Sequence, residues 1–295
     1  MSPGNSGTGW RDYLKALPLY LLPHHALSRL AFRLARIRTP WFRTASIRLF
    51  ARHFRVDWSE SLHTRPEDFE HFNAFFTREL APGVRRLEGD DRTVASPADG
   101  CLSQAGAIRG DTLIQAKGRD FGLTELLGGR EADAQAFRDG RFATIYLSPR
   151  DYHRVHMPLT GRLRATTYVP GRLFSVAPHT VRVVPRLFAR NERLIARFDT
   201  DAGPMALILV GAINVAAIET VWGGQVTPPH RKHVEHQRFE EHAPVLERGA
   251  EMGRFNFGST VILLFGRDAV CWQDILVEGA PLRMGEAIGR VCHPA

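Results

Sequence analysis

The stretch "RFNFGSTVILLF", residues 254–265, decides how the second half of the chain folds. Its last six residues are β-branched or apolar, a composition typical of a buried strand. A Gly-Ser pair at positions 258 and 259 stands directly before them. Glycine is common in turns, and a serine after it is usually an ordinary strand entry. We therefore predict a strand from Thr260 to Phe265, while the role of Ser259 stays open at this point.

Other segments of the chain have the same character and are bounded by turn residues: "FATIYL" (142–147), "LRATTYV" (163–169) and "MALILVG" (205–211). Two distant segments also resemble each other, "SPADGCLSQAGAI" (96–108) and "VEGAPLRMGEAIGRV" (277–291). Each has a turn of small residues followed by a short hydrophobic strand, which suggests a duplicated β motif. The predicted fold class is α+β, with a mainly β body preceded by N-terminal amphipathic helices.

The net charge of +8 is concentrated near the start of the chain. Between Tyr13 and Val56 there is no acidic residue, and nine basic residues give +9, so the rest of the chain is close to neutral. Apolar residues recur there with helical spacing on both sides of Pro40: Leu27, Leu30, Ala31 and Leu34, then Ile47, Phe50, Ala51 and Phe54. We predict a basic helical membrane-binding segment over residues 1–56 and a catalytic domain over residues 57–295.

A cationic amphipathic helix pair suits the headgroup region of an anionic bilayer, where each basic residue contributes about 1 kcal/mol. Nucleic-acid binding and docking on the chain's own core are the alternatives, and we favour the membrane. The longest apolar run, 206–218, is interrupted by Gly211 and Asn214 and is shorter than the ~20 residues of a membrane span. We expect a protein that lies on a membrane surface and faces the cytoplasm.

The cysteines and the known cofactor motifs give little evidence for a disulfide, metal or cofactor site. Cys101, Cys271 and Cys292 are odd in number, far apart and without CxxC spacing, so we expect reduced thiols in a reducing compartment. There is no P-loop, dinucleotide fingerprint or HExxH motif. A histidine-rich stretch, "HRKHVEHQRFEEH" (230–242), could bind metal, but its charge favours a solvated loop. No metal site is predicted.

The segment "LSPRDYHRVHMP", residues 147–158, carries two histidines. Ser148, Pro149 and Asp151 fit the cap and first turn of a short helix that would carry His153. His156 shares a face with His153 if the turn continues, or begins an extended segment if it does not. Taken alone, such a histidine pair is more often structural than catalytic.

Ser259, His156 and Asp99 could form a Ser-His-Asp triad, in which a carboxylate orients the histidine that activates the serine. Asp99 lies in "SPADG", where Asp-Gly is also a common turn. Ser259 is not in a G-x-S-x-G elbow, because Phe257 and Val261 occupy the glycine positions. A membrane-associated serine hydrolase is therefore the weaker interpretation of these residues.

A set of ordered motifs resembles the bacterial phosphatidylserine decarboxylase proenzyme family: "SPADG", "KGRDFGLTELLG", "LSPRDYHRVHMP", "VPGRLFSVAP", "LFARNER", "VGAINVAAIE" and "FGST" after "GAEMGRFN". They run in order over most of the chain. The sequence departs from the usual pattern at a few positions: Phe257 for leucine, Ala177 for asparagine, Ala216-Ala217 for Gly-Ser and Arg248 for lysine. None of these changes removes a residue to which the chemistry is assigned.

The resemblance implies self-cleavage between Gly258 and Ser259, giving chains 1–258 and 259–295. Ser259 would attack the preceding carbonyl, with His156 as base and Asp99 as its orienting group, and would end as a pyruvoyl group, the cofactor. That group would form a Schiff base with phosphatidylserine, and His153 would transfer a proton in the step that leads to phosphatidylethanolamine.

The implied partners are the lipid substrate, an anionic membrane surface and the non-covalent complex of the two cleaved chains. A homodimer is a further candidate assembly, and no nucleic acid is expected because the body carries no net positive charge. A non-catalytic lipid-binding relative would be expected to lack Ser259 or one of its partners, and all are present.

Overall fold

The computed structural model describes residues 10–116, 119–213, 217–256 and 259–292. The α+β prediction is confirmed, since 22% of the residues are helical and 35% are in strands. The longest helices come first in the chain, as predicted. The helices are α1 Trp10–Ala16, α2 His24–Leu34, α3 Pro40–Phe54, α4 Phe72–Phe76, α5 Leu123–Leu126, α6 Glu131–Gln135, α7 Pro178–Val183 and α8 Leu187–Arg190, with 3-10 turns at Leu17–Tyr20 and Pro66–Asp68.

The strands follow mainly after residue 92. They are β1 Thr93–Ala95, β2 Gly100–Ala107, β3 Thr112–Ala116, β4 Arg119–Gly122, β5 Arg141–Leu147, β6 Arg154–His156, β7 Gly161–Val169, β8 Arg193–Thr200, β9 Gly203–Val210, β10 Ile218–Thr220, β11 Gly224–Thr227, β12 Glu235–Arg238, β13 Val245–Leu246, β14 Glu251–Phe255, β15 Ser259–Phe265, β16 Val270–Trp272, β17 Pro281–Leu282 and β18 Ala287–Val291. The four strands predicted from apolar runs are confirmed as β5, β7, β9 and β15.

One antiparallel sheet organises the body, with the order β12-β7-β8-β9-β15-β5-β2-β17 and β13 beside β7. Strand β15 lies near its centre, and all seven of its residues are buried. The run is apolar without alternation because both of its faces are covered. Thr260 pairs with Val210 of β9 on one side and with Tyr146 of β5 on the other.

The two similar segments near residues 100 and 285 lie against each other. Strand β1 pairs with β18, and β2 pairs with β17. The smaller sheets are β1-β18-β16, β11-β10-β14-β6 and β3-β4. The pairing of the two segments brings the Asp99 turn between β1 and β2 next to the turn before β18.

Helices α2 and α3 have the same apolar periodicity, but they differ in which of their residues are buried. In α3, Ile47 and Ala51 are buried and pack on the phenylalanines of α4. They belong to a small hydrophobic cluster that is separate from the main core. Its buried members are Ala35, Ile47, Ala51, Val56, Phe69, Phe72, Phe75 and Phe76. In α2, the buried residues are His24 and Ser28. The apolar side chain of Leu30 is 54% exposed.

Two expectations from sequence are wrong. The "LSPRDYHRVHMP" segment forms a turn rather than a helix, because the Asp151 carboxylate accepts the backbone N–H of Ser148 at 2.6 Å and the chain then extends into β6. The three thiols are not all reduced: Cys271 and Cys292 form a disulfide, and Cys101 is free. The pairing of β16 with β18 brings the two cysteines together across 21 positions of sequence.

Across the part of the chain that the structure describes, no helix has the length and apolar character needed to cross a membrane.

Candidate active site

Ser259 is the first residue of β15 and is completely buried. Its Oγ has no hydrogen-bond partner among the described residues. A buried hydroxyl without a partner costs roughly 1–3 kcal/mol in protein mutational series, and no other group in the described part of the chain holds the Ser259 oxygen away from a reaction. Gly258, the other half of the predicted cleavage site, lies outside the described residues.

His156 ends strand β6 and is held from both sides of its ring. Its Nδ1 lies 2.8 Å from the backbone carbonyl of Gly249, and its Nε2 lies 3.0 Å from the hydroxyl of Tyr152. Because a carbonyl can only accept, Nδ1 carries the proton, and Nε2 keeps the lone pair that a base needs. Burial lowers the pKa of His156, although the Gly249 hydrogen bond opposes the shift, so the ring is neutral at pH 7.

Asp99 lies near His156 but is occupied by other groups. Arg85 donates to both oxygens of the Asp99 carboxylate, and the backbone N–H of Met284 donates to one of them at 2.8 Å. The backbone N–H of His156 donates to Pro97 in the same turn, and the Asp99 charge acts through space to raise the pKa of His156. The group that orients the His156 ring here is therefore the Gly249 carbonyl rather than Asp99.

His153 is fully buried and stacks on Phe76, with ring centroids 4.1 Å apart. Neither ring nitrogen has a hydrogen-bond partner at normal distance within the described part of the chain. Burial lowers the pKa of His153 to about 3, and the nearby charge of Arg78 acts in the same direction. The ring is neutral, with one N–H and one lone pair available.

Arg78 follows α4 and is only 6% exposed. One of its terminal nitrogens donates to the carbonyl of Arg150 at 3.0 Å, whereas Nε and the other terminal nitrogen have no partner among the described residues. It lines a cleft of about 350 Å³ that also contains Asp99 and Tyr152. The cleft is therefore lined by a cation with unused donors and, of the proposed catalytic residues, by Asp99.

Sequence reasoning missed three residues of this site: Tyr152, Arg78 and Arg85. Tyr152 stands within the quoted histidine motif, so its position next to His153 was a usable signal. Arg78 ends the phenylalanine-rich run "FNAFFTR", residues 72–78, where an arginine beside an apolar helix was a weaker signal. Arg85 had none, because its role depends on contacts with Asp99 and Glu60.

Comparisons with known proteins agree over nearly the whole chain. The family model described as phosphatidylserine decarboxylase matches residues 72–290, and a second one, described as PSD, matches residues 14–55. A protein of Alkalilimnicola ehrlichii is 59% identical over 86% of this chain and 88% of its own length.

Two further relatives are similarly close. A protein of Azotobacter vinelandii is 56% identical over 95% of this chain and 99% of its own length. One from Nitrosococcus oceani is 54% identical over 95% of this chain and 92% of its own length. All three carry the name phosphatidylserine decarboxylase proenzyme. With a family model that covers most of its length and relatives above half identity from end to end, the chain belongs to the phosphatidylserine decarboxylase family.

Proposed function

We propose that this chain is a proenzyme that converts phosphatidylserine to phosphatidylethanolamine and carbon dioxide through a pyruvoyl group made from Ser259. The observation that carries the proposal is the family match over residues 72–290, within which Ser259 is a buried, unpartnered hydroxyl at the start of a central strand. The alternative of a serine hydrolase receives no support, since the relatives are named decarboxylase proenzymes.

Self-cleavage begins with attack of the Ser259 Oγ on the carbonyl carbon of Gly258. The C–N bond breaks, the nitrogen gains a proton, and an ester joins the two residues. Removal of the Ser259 Cα proton then breaks the Cβ–O bond and leaves Gly258 as a carboxylate. Water replaces the nitrogen, ammonia leaves, and the new chain begins with a pyruvoyl group in place of Ser259.

His156 is the base that this sequence of steps requires. The Gly249 carbonyl fixes the ring so that Nε2 is unprotonated, and the lowered pKa keeps it so at pH 7. Tyr152 donates to that nitrogen in the uncut chain and would have to release it before Ser259 is deprotonated. Asp99 supports the charged form of His156 through space and fixes the adjoining turn through Met284.

The surroundings of Ser259 fit a pyruvoyl group, because the residue is buried and its side-chain oxygen is not held by another group. When present, that group supplies an electron sink for the bond to the substrate carboxyl group. His153 is buried against Phe76 with a neutral ring and would transfer the proton that replaces the carboxyl group. Arg78 would attract the anionic headgroup with its unused donors, since guanidinium pairs well with carboxylate and phosphate.

Residues 1–56 would hold the enzyme on the anionic cytoplasmic face of the cell inner membrane. Support comes from large apolar side chains that are exposed to water: Trp10 in α1, Leu30 in α2, Trp41 in α3, and Leu21 in the connection between α1 and α2. The cysteines no longer argue for a reducing compartment, since two of them are paired. The two cleaved chains would stay together without a covalent link, and a homodimer remains a candidate.

Denaturing mass spectrometry of the purified protein tests the proposal directly. We expect a chain of residues 1–258 and a fragment of residues 259–295, about 4 kDa by proportion from 33.1 kDa. The fragment should resist Edman degradation because a pyruvoyl end has no amine, and vesicles of phosphatidylserine should gain phosphatidylethanolamine. An active protein that stays uncut and reacts with a fluorophosphonate probe at Ser259 would contradict the proposal and favour the hydrolase.

A further inference from the structure

Three residues from distant parts of the chain form a cluster away from His153 and His156. His25 lies in the first turn of α2, Glu192 directly precedes β8, and His230 follows β11. One nitrogen or carboxylate oxygen of each lies within 4.8 Å of the others, and the two imidazole rings are 4.5 Å apart. Two histidines and one carboxylate are a common ligand set for a divalent transition metal.

The hydrogen bonds of His25 leave one nitrogen ready for a ligand. Its Nε2 lies 3.0 Å from the carbonyl of Gly171 and must donate to it, so Nδ1 carries the lone pair. That Nδ1 is buried and has no partner among the described residues. Burial and the neighbouring His230 lower the pKa of His25, which keeps the ring neutral. A ring fixed through one nitrogen by a carbonyl, with the other free, is the usual state of a metal ligand.

His230 and Glu192 complete the cluster. The Nδ1 of His230 lies 2.9 Å from both carboxylate oxygens of Glu192, and its Nε2 is buried without a described partner. The Glu192 side chain is only 3% exposed, and the hydroxyl of Tyr168 donates to it. The hydrogen bond between His230 and Glu192 gives the carboxylate a partner, yet it leaves Nδ1 of His25 unused.

We propose that His25, Glu192 and His230 bind a divalent transition metal ion of the Zn²⁺ class, which fastens α2 to the catalytic body. Ligand atoms around tetrahedral zinc lie about 3.3 Å apart, so small side-chain rotations would bring the three groups to bonding distance. Three protein ligands leave one position for water. The metal would neutralise the buried carboxylate and give a partner to the free Nδ1 of His25. His230 would bind it through Nδ1, the nitrogen that faces Glu192.

The position of the cluster gives the ion a structural role. Thr260, Val210 and Arg193 lie side by side on three neighbouring strands, because Thr260 pairs with Val210 and Val210 pairs with Arg193. Ser259 directly precedes Thr260, and Glu192 directly precedes Arg193. Two strand spacings of ~4.8 Å put their backbones about 10 Å apart. The ion would therefore attach α2, through His25, to the end of the sheet where Ser259 lies. Apolar side chains of α2 such as Leu30 would stay exposed.

Metal content of tag-free, full-length protein tests the proposal. We expect one equivalent of zinc per chain after dialysis against buffered Zn²⁺, and a visible spectrum typical of low-symmetry coordination when Co²⁺ replaces it. His25→Ala and His230→Ala should each weaken zinc binding at least tenfold. The matched control is His233→Ala, an exposed histidine three positions from His230, which should bind zinc like the wild type.

A second measurement separates a metal fastener from a surface histidine that captures zinc. Chelation should speed tryptic cleavage at Arg29 and Arg33, which are exposed on α2, and zinc should restore protection in the wild type but not in His230→Ala. Equal zinc affinity in the wild type and in both His25→Ala and His230→Ala, or wild-type protein without zinc above the level of the buffer, would overturn the proposal. If a variant fails to fold, the metal content and Co²⁺ spectrum of the wild type still decide the question.

Discussion

The surroundings of Ser259 and the outer face of α2 both contain groups in an unfavourable environment, but the groups are of opposite kinds. Around Ser259, polar groups are buried without partners, as the Ser259 hydroxyl and both nitrogens of His153 show. On α2, apolar side chains face water, with Leu30 at 54% and Leu34 at 43% exposure. Each arrangement costs free energy in a folded chain surrounded by water.

The two regions teach the same lesson about where function lies. A buried polar atom without a partner is available for chemistry, whereas an exposed apolar stripe is available for a bilayer. Neither arrangement makes the folded chain more stable in water. Substitutions that remove each cost should therefore reduce function while leaving stability unchanged or higher.

The largest effect is expected at Ser259. Ser259→Ala removes the attacking oxygen, so the chain should remain uncut and inactive in denaturing mass spectrometry and decarboxylase assays. Its free energy of unfolding should be unchanged or about 1 kcal/mol higher, because the lost hydroxyl has no partner. Thr260→Val is the matched control, since Thr260 also has a buried hydroxyl without a described partner. That variant should be cut normally. An uncut Thr260→Val would show that loss of any buried hydroxyl at this place prevents self-cleavage, so that the effect of Ser259→Ala could not be assigned to the attacking oxygen.

A smaller effect should distinguish the two histidines. His156→Ala should slow self-cleavage by about 10²–10⁴-fold, the usual contribution of a general base. His153→Ala should be cut and then decarboxylate poorly, because its proposed role follows cleavage. Tyr152→Phe removes one hydrogen bond to His156 and should change the cleavage rate by roughly tenfold or less. Normal maturation of His156→Ala, followed by gel electrophoresis over time, would remove His156 from its proposed role.

The smallest effect is expected on α2. Leu30→Ser and Leu34→Ser together should weaken binding to anionic vesicles about tenfold or more. The exposed parts of the two side chains add up to about one leucine, whose burial contributes about 1.5–3 kcal/mol. The melting temperature should not fall, because both side chains are exposed. Leu87→Ser is the control, as that leucine is 43% exposed on the body. High salt should weaken the remaining binding, and equal sedimentation of all variants with vesicles would contradict a lipid-facing α2.

Four central strands and the N-terminal helices were predictable because their signals are local. The apolar run of β15 and the helical spacing in α2 and α3 lie within single short segments. The direction in which each helix faces was not predictable from the same spacing. Helix α2 docks through His24, whose ring contacts the backbone of Leu19 and Leu173, and those contacts have no local signature.

The candidate residues Asp99, His156, Ser259 and His153 were proposed from motifs, and their roles stay predictions. The contacts of these residues were not predictable: the group that holds the His156 ring in the structure is the backbone carbonyl of Gly249. A carbonyl is present at every residue, so sequence gives no sign of which one will be used. The pairing of Cys271 with Cys292 was missed for a related reason, because it depends on which strands become neighbours.

Strand β15 is bonded to β9 on one side and to β5 on the other along nearly its whole length. A strand in that place cannot be added to a finished sheet from the edge, so it must be incorporated while the chain is still continuous. Cleavage before Ser259 would then remove the connection that guided this incorporation. Reassembly of two separated chains would then cost the entropy that the short connection saved, because the chains must first meet. We therefore expect the uncut proenzyme to refold after denaturation more readily than the cut enzyme, whose persistence would depend on how slowly it unfolds.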